Sequence, residues 1–276
     1  MIDFTIVTPS YNYGHYIGEC LKSVAAQEGV TLEHLVMDAG SSDDTAEVVA
    51  RFPHASWSQE PDKGMSDGIN KGFRKAKGKW VMWLNSDDRL KLGALAEVKR
   101  FLEKESEADV VFGCWDFIDE KGKFVRRMTL FPFRFGMLAN HGCYIGSTST
   151  FYRRESTIGE GQLLNVNFGA VMDGEYYCRL AAAGKRFFYL PVVLADFRLH
   201  DESISRKNMG KADIDGILAR QKQLAESSAI RRVYGCRLFE DEMLNIIVEG
   251  VMYHVFRVQK GWLKLWHKSS CREPEG

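Results

Sequence analysis

No stretch of this chain is long and apolar enough to span a bilayer, which argues against a polymer-extruding membrane bundle. Its first residues, Met1 to Ile6, lack a basic segment followed by an apolar run, so no secretory leader is expected. Net charge is absent as well. Thirty-seven basic residues balance 37 acidic ones, which argues against nucleic acid as a partner of the whole protein. The six cysteines (Cys20, Cys114, Cys143, Cys178, Cys236 and Cys271) form no Cys-x-x-Cys pair and no metal-like spacing, so reduced thiols in a cytoplasmic protein are expected. Two phosphate cradles are missing: no Gly-x-Gly-x-x-Gly follows the first apolar run, and there is no Gly-Lys-Ser/Thr loop. Repeats and low-complexity segments are also lacking. What is there is an ordinary globular composition, 45% hydrophobic and 27% charged over 276 residues, enough to bury the core of one large domain with an appendage.

Short apolar runs alternate with amphipathic segments as far as Phe112. Strands are predicted at Phe4–Thr8, Glu33–Asp38, Ala55–Ser58, Trp80–Leu84 and Asp109–Phe112. Helices are predicted at Tyr16–Ala26, Thr45–Phe52, Ser66–Ala76 and Leu92–Leu102, the last with an apolar stripe at Leu92, Leu95, Val98 and Leu102. This β-α-β-α order predicts an α/β fold, a mostly parallel, Rossmann-like central sheet with helices on both faces. Beyond Cys114 the pattern changes. Trp115–Asp119 and Lys123–Met128 read as a hairpin, and Phe131 to Gly169 as loop. A helix opens near Asp173, strands follow at Arg186–Leu190 and Val193–Leu199, and Lys211 to Lys268 reads as helical. The predicted division is one domain over residues 1–205, with halves 1–114 and 115–205, and a C-terminal helical extension over 206–276.

Open parallel sheets bind ligands at the carboxyl ends of their strands. Here those ends carry Thr8 to Tyr11, Asp38 to Asp44 and Asn85 to Asp88, with Glu60 to Asp67 running into a helix between them. Singly, each loop reads as a turn whose Ser or Asp caps the next helix. Together they set oxygen acceptors along one edge, suited to ribose hydroxyls, a base edge and a divalent cation. The neighbours Asp87 and Asp88 repel each other unless something compensates. A diphosphate beside carboxylates also needs neutralising, so Asp87 is read as holding Mg²⁺ or Mn²⁺ and, through it, the phosphates of a nucleotide.

In order along the chain, TPSYN (Thr8–Asn12), DAGSSDDT (Asp38–Thr45), EPDKGMSDGINKG (Glu60–Gly72) and WLNSDD (Trp83–Asp88) resemble the motifs of family 2 glycosyltransferases. MDGEYYCRL (Met172–Leu180) and FRLH (Phe197–His200) extend the likeness, which covers roughly Phe4 to Ser205. The resemblance implies a GT-A fold, a divalent metal, inversion at the anomeric carbon and a nucleotide-diphosphate sugar donor, a UDP-sugar first among them. Residue by residue, it implies Thr8, Pro9 and Tyr11 in the nucleoside pocket, Asp38 on the base, and Asp67 near the ribose or phosphates. Asn85, Ser86 and Asp87 stand in the place of the family's DxD motif. Asp87 and His200 are then the implied metal ligands, and Asp173 the catalytic base that takes the acceptor's proton. Two positions depart from the pattern: Asn85, where many members have Asp, and Met172, where an acidic residue usually precedes the base. Asp88, His141, Ser147 and Thr148 fall where acceptor-side residues are expected. The implied acceptor is a saccharide or lipid-linked saccharide of surface polysaccharide or glycolipid assembly.

The segment from Leu244 mixes Ile246, Ile247, Val251, Tyr253 and Phe256 with Arg257, Lys260 and Lys264, and sets Trp262 and Trp266 four residues apart. Read as an interfacial helix, it rests on the inner face of the cytoplasmic membrane. Read otherwise, it packs on the main domain or on a second copy. Two functional rivals stay open. A sugar nucleotidyltransferase wants a Gly- and Lys/Arg-rich loop after the first strand, where this chain has Thr8 to Asn12. A degenerate member of the fold binds nucleotide or a partner without turnover.

Overall fold

A computed structural model describes residues 1–201, 214–235, 255, 257–263 and 271–275. Its first seven elements follow the predicted alternation: β1 (Phe4–Ser10), α1 (Gly14–Ala25), β2 (Leu32–Asp38), α2 (Thr45–Val49), β3 (Ala55–Gln59), α3 (Met65–Lys75) and β4 (Trp80–Trp83). After them come β5 (Arg89–Leu90), α4 (Ala94–Lys104), β6 (Val110–Ile118), β7 (Phe124–Met128), α5 (Phe135–His141), β8 (Thr150–Arg153), α6 (Met172–Ala182), β9 (Phe187–Arg198) and α7 (Ile214–Tyr234). The sheet order is β3-β2-β1-β4-β8-β6-β9-β5, with β7 paired to β6. β3, β2, β1 and β4 are mutually parallel, and so are β6 and β9. β8 runs antiparallel between β4 and β6 and joins the two parallel halves.

β1 and β4 are buried along their whole length because both faces of the sheet are covered there. Successive side chains of a strand point to opposite faces, so a fully buried strand needs helices on each. From β1, Phe4 and Ile6 pack with Cys20 and Val24 of α1 and with Leu95 and Val98 of α4. Val7, of the other parity, packs with Ile69 and Phe73 of α3. The approach of α3 is very close: a Cβ on Gly72 would stand 2.3 Å from a methyl of Val7. On the same face Trp83 of β4 stacks on Tyr152 of β8, with ring centroids 5.4 Å apart. Phe73 of α3 and Tyr176 of α6 pack around that pair. This buried aromatic cluster, at about 0.5–1.5 kcal/mol per pair beyond simple area burial, seats α3 and α6 side by side.

Several elements differ from expectation. β8 and α5 lie inside the stretch read as loop. β6 runs unbroken from Val110 to Ile118, and its last residues form the expected hairpin with β7. β9 is one 12-residue strand that passes through Pro191. Proline has no N–H to give a ladder, and the β6–β9 register shifts beside it. The C-terminal tail occupies that gap: Arg272 N–H donates to the Pro191 carbonyl at 3.0 Å, and Val193 N–H to the Arg272 carbonyl at 2.8 Å.

The same tail brings a correction. Cys114 and Cys271 form a disulfide across 157 residues of sequence, whereas all six cysteines were expected to be reduced. The pairing removes the thiol-based support for a cytoplasmic setting. Spacing along the chain cannot reveal two cysteines that only the fold brings together. Cys20, Cys143 and Cys178 are free thiols. α7 packs on α5 and α6. Residues 257–263 are helical, and most of the remaining stretch from Leu244 to Trp266 lies outside the described residues. Among the described residues, no helix is long and apolar enough to cross a membrane.

Candidate functional site

The carboxyl ends of β1 and β2 lie side by side because Ser10 pairs with Asp38. Asn12 turns the chain with a left-handed backbone, φ 56°. Asparagine tolerates this when its short side chain bonds nearby backbone, and here Oδ1 accepts the Ser42 N–H at 2.8 Å. Asp38 is buried and faces its own loop: Oδ1 accepts the Ser41 hydroxyl at 2.5 Å, and Oδ2 accepts the N–H groups of Gly40 and Ser41 at 3.2 and 2.9 Å. A base edge must compete with Ser41 for that carboxylate. Tyr11 is 59% exposed, so its ring is open to a ligand. Pro9 is buried. Thr8 corrects an expectation: strand parity puts it on the face of Phe4 and Ile6, fully buried, with its hydroxyl 2.8 Å from His34 Nε2. Its side chain does not line a nucleoside pocket.

At the end of β4 the chain makes a tight loop, Asn85 to Asp88. Asp87 Oδ2 lies 2.8 Å from His200 Nε2, which follows β9. The His200 ring is packed by Tyr13 and Tyr16, at 5.7 and 4.9 Å between centroids. Asp88 points the other way. Its carboxylate accepts the Arg198 N–H at 2.9 Å, the Asn85 amide at 3.2 Å and the Thr148 hydroxyl. Burial, with Asp87 next to it, pushes the Asp88 carboxyl well above the usual range, and these three donors pull against that rise. Asp88 and Thr148, expected on the acceptor side, are instead both buried and bonded to each other inside the fold. Ser86 is buried as well.

The buried guanidinium of Arg198 ties this loop down. It donates to the carbonyls of Asp87 and Glu120, both at 2.8 Å, and to the Glu19 carboxylate of α1 at 2.7 Å. Sequence reading missed this anchor. The available signal was an arginine closing an apolar strand, since such a group is buried only when fully partnered.

Asp67 and Asp173 ride on the first turns of α3 and α6. Asp67 accepts the Lys63 N–H at 3.1 Å and lies 3.8 Å from Lys71 Nζ. One residue before each Asp the two helices touch: the Ser66 hydroxyl donates to Met172 Sδ at 3.0 Å and to the Phe168 carbonyl at 3.3 Å. Asp173 accepts the Gly174 N–H at 2.8 Å, and burial pushes its carboxyl above the ordinary range. His141 closes α5, and Ser147 opens the short turn leading to Thr148. Both are half-buried.

The model of the family described as "Glycosyl transferase family 2" matches residues 5–160, which carry the parallel half, the Asn85–Asp88 loop and β8. The chain belongs to that family. Among curated relatives, it is 31% identical over 116 residues to a PGL/p-HBAD biosynthesis glycosyltransferase of Mycobacterium bovis, spanning 40% of this chain and 45% of that one. It is 30% identical over 121 residues to Glycosyltransferase GlyG of Streptococcus pneumoniae, spanning 42% and 40%. The matched stretch is thus less than half the length of either relative. Among solved structures, S. aureus TarS 1-349 in complex with UDP-GlcNAc superposes with a TM-score of 0.62 at 16% identity, covering 85% of this chain and 74% of that one. Mannosyltransferase PcManGT from Pyrobaculum calidifontis, in complex with GDP-Man and Mn²⁺, superposes with a TM-score of 0.56 at 15% identity, covering 95% and 85%. The fold is therefore of GT-A type.

Proposed function

We propose that this family 2 glycosyltransferase is an inverting, metal-dependent enzyme that moves a sugar from a nucleotide-diphosphate donor to an acceptor hydroxyl. The observation that carries the proposal is the Asp87–His200 pair, 2.8 Å apart where β4 and β9 end. This donor set fits a divalent cation. Mg²⁺-type sites on phosphates use one or two protein groups and complete the shell with ligand oxygens, and imidazole suits Mn²⁺-type ions. Asn85 Oδ1 beside them is buried with no hydrogen-bond partner among the described residues, as expected of an atom waiting for a ligand. Among those residues, no three His, Cys, Asp or Glu side chains converge to hold an ion without such help. When bound, Mn²⁺ or Mg²⁺ supplies charge neutralisation to the departing diphosphate.

The chain's own groups do the rest. Tyr11 offers a ring to the base, Pro9 and the loop held by Asp38 wall the pocket, and Asp67 lies toward the ribose or phosphates. Asp173 takes the proton as the acceptor oxygen attacks C1, and the C1–O bond to the diphosphate breaks on the opposite side, inverting the centre. A carboxyl raised by burial is a stronger base once ionised. UDP-sugars lead the donor classes, with saccharides or lipid-linked saccharides as acceptors. Calorimetric titration of UDP, GDP and dTDP, each with Mn²⁺ and again with EDTA, tests the site. Metal-dependent binding of one diphosphate is expected, UDP first. If folded protein binds none of them, the reading gives way to a degenerate, non-catalytic member.

The proposal extends to peripheral membrane contact. Val258 and Trp262, four residues apart on helical backbone, are 62% and 71% exposed, and apolar side chains so placed suit an interface. Replacing both by Ser is expected to weaken co-sedimentation with anionic liposomes. Unchanged co-sedimentation rules the contact out.

A further inference from the structure

The loop entering α6 is held from another helix. Gly169 N–H donates to Glu226 Oε1 of α7 at 3.1 Å, and the N–H groups of Ala170 and Val171 donate to Oε2 at 2.9 and 3.1 Å. N–H groups at a helix start have no partner within their own helix, and the residue in the capping position here, Val171, has no side-chain oxygen to offer. A single serine or aspartate at that position would do what a capping residue does. This chain instead uses a carboxylate 55 residues further on, itself only 11% exposed, with Lys222 Nζ at 3.8 Å.

Two residues after Val171 stands Asp173. Among the described residues its carboxylate is bonded by local backbone alone, the Gly174 N–H next to it and its own N–H. No described side chain bonds it, so the aim follows the backbone of residues 169–174. Activated groups in enzymes are ordinarily oriented by a third group, and a displacement near 1 Å costs about 10²-fold in rate. We infer that Glu226 is a positioning residue for transfer: it fixes residues 169–171, thereby aims Asp173 at the acceptor hydroxyl, and makes α7 part of the catalytic assembly. This rests on the proposed base role of Asp173. α7 reaches the same place a second time, where Ser227, Ile230 and Arg231 join Cys143, Val171 and Gly174 around a cavity of about 40 Å³. Among the described residues, Cys143, Tyr152 and Tyr177 feel the charge of Asp173, Lys260 acts on Cys143 beside it, and none of these is an acid that can replace Glu226.

The test uses the full chain, UDP release from UDP-GlcNAc as the first probe with water as acceptor, and UDP affinity by calorimetry with Mn²⁺. Glu226→Ala is expected to lower kcat about 10- to 100-fold while UDP affinity stays within about twofold of wild type. Opening the loop admits water to Asp173, so the acidic limb of the kcat profile also moves to lower pH. Glu226→Gln keeps one acceptor oxygen and is expected to recover part of the rate; it stands in if the alanine variant does not fold. A kcat within twofold of wild type overturns the inference. So does loss of UDP affinity in step with kcat, or an equal loss at every pH. Asp173→Asn is measured alongside. If it is inactive while Glu226→Ala is normal, only the positioning role falls; if it keeps the wild-type rate, the base reading beneath it falls.

Discussion

Asp87 and Asp88 are adjacent carboxylates that the fold compensates in different ways. Asp87 meets His200, 113 residues on, while Asp88 is bonded to Thr148 and to the Arg198 N–H from the far half of the chain. The ordered motifs singled out Asp87 and His200 in the sequence, and the fold brings the two within 2.8 Å. The partners of Asp88 were not legible, since nothing near it in sequence announces them. Asn85 also becomes intelligible. Its amide donates to Asp88, where an aspartate would add a third negative charge against it. Thr8 was within reach of sequence reasoning, because counting by twos from Phe4 puts it inside. For Asp173, burial raises the carboxyl and two pH effects follow. As the proposed base it must be ionised, so turnover falls as pH drops through a value above the ordinary carboxylate range. For stability, the folded state holds this proton more tightly than the unfolded chain. Ionised Asp173 therefore costs stability at neutral pH, and the cost is relieved as pH falls through the raised value. Asp173→Asn is expected to lose transfer by about 10²-fold or more yet keep UDP affinity. It should melt higher than wild type at pH 7, by a margin that shrinks in acid. Initial rates and calorimetric scans read both effects.

Among the elements, α3 shows how packing sets the site. Gly72 lets it lie on β1, and its first turn then meets α6 at Ser66 and Met172. Gly72→Ala would press a methyl into Val7 and Met37. It is expected to cost about 1–3 kcal/mol in denaturant unfolding and to weaken UDP binding as Asp67 moves away. Full stability with unchanged UDP affinity would show that α3 can back off freely. The β-α alternation up to β4 was readable because each strand and its helix are neighbours with distinct periods. β8 was hidden, since four residues inside a polar stretch carry little period of their own. β9 was split in reading at Pro191, a residue that normally ends a ladder. It continues through that residue, with the tail pairing on either side of Val192.

Over the whole molecule, the tail clasps the far side of the sheet. Glu97 of α4, 3% exposed, takes the Arg272 fork at 2.8 and 2.9 Å and the Glu275 N–H at 2.8 Å. The Arg272 hydrogen bonds hold the Glu97 carboxyl below its ordinary range. Such a group adds stability above its unfolded value and loses it as pH falls through the folded one. Glu97→Gln is expected to lower stability by about 1 kcal/mol at pH 7, a modest figure because the arginine is half exposed. The difference should close in acid, as thermal melts across pH can check. Neither this clasp nor the disulfide was legible, since both join segments more than 150 residues apart. Returning to the Asn85–Asp88 loop, its inner carboxylate is satisfied wholly by protein donors. With its inner carboxylate bonded by protein groups, the proposed metal site is not expected to draw its affinity from folding energy as a zinc finger does. EDTA is accordingly expected to stop turnover while leaving Tm unchanged by scanning fluorimetry. If Asp87 and His200 hold an ion as proposed, two such side chains discriminate weakly between Mg²⁺- and Mn²⁺-type ions, and the occupant would follow the supply around the protein.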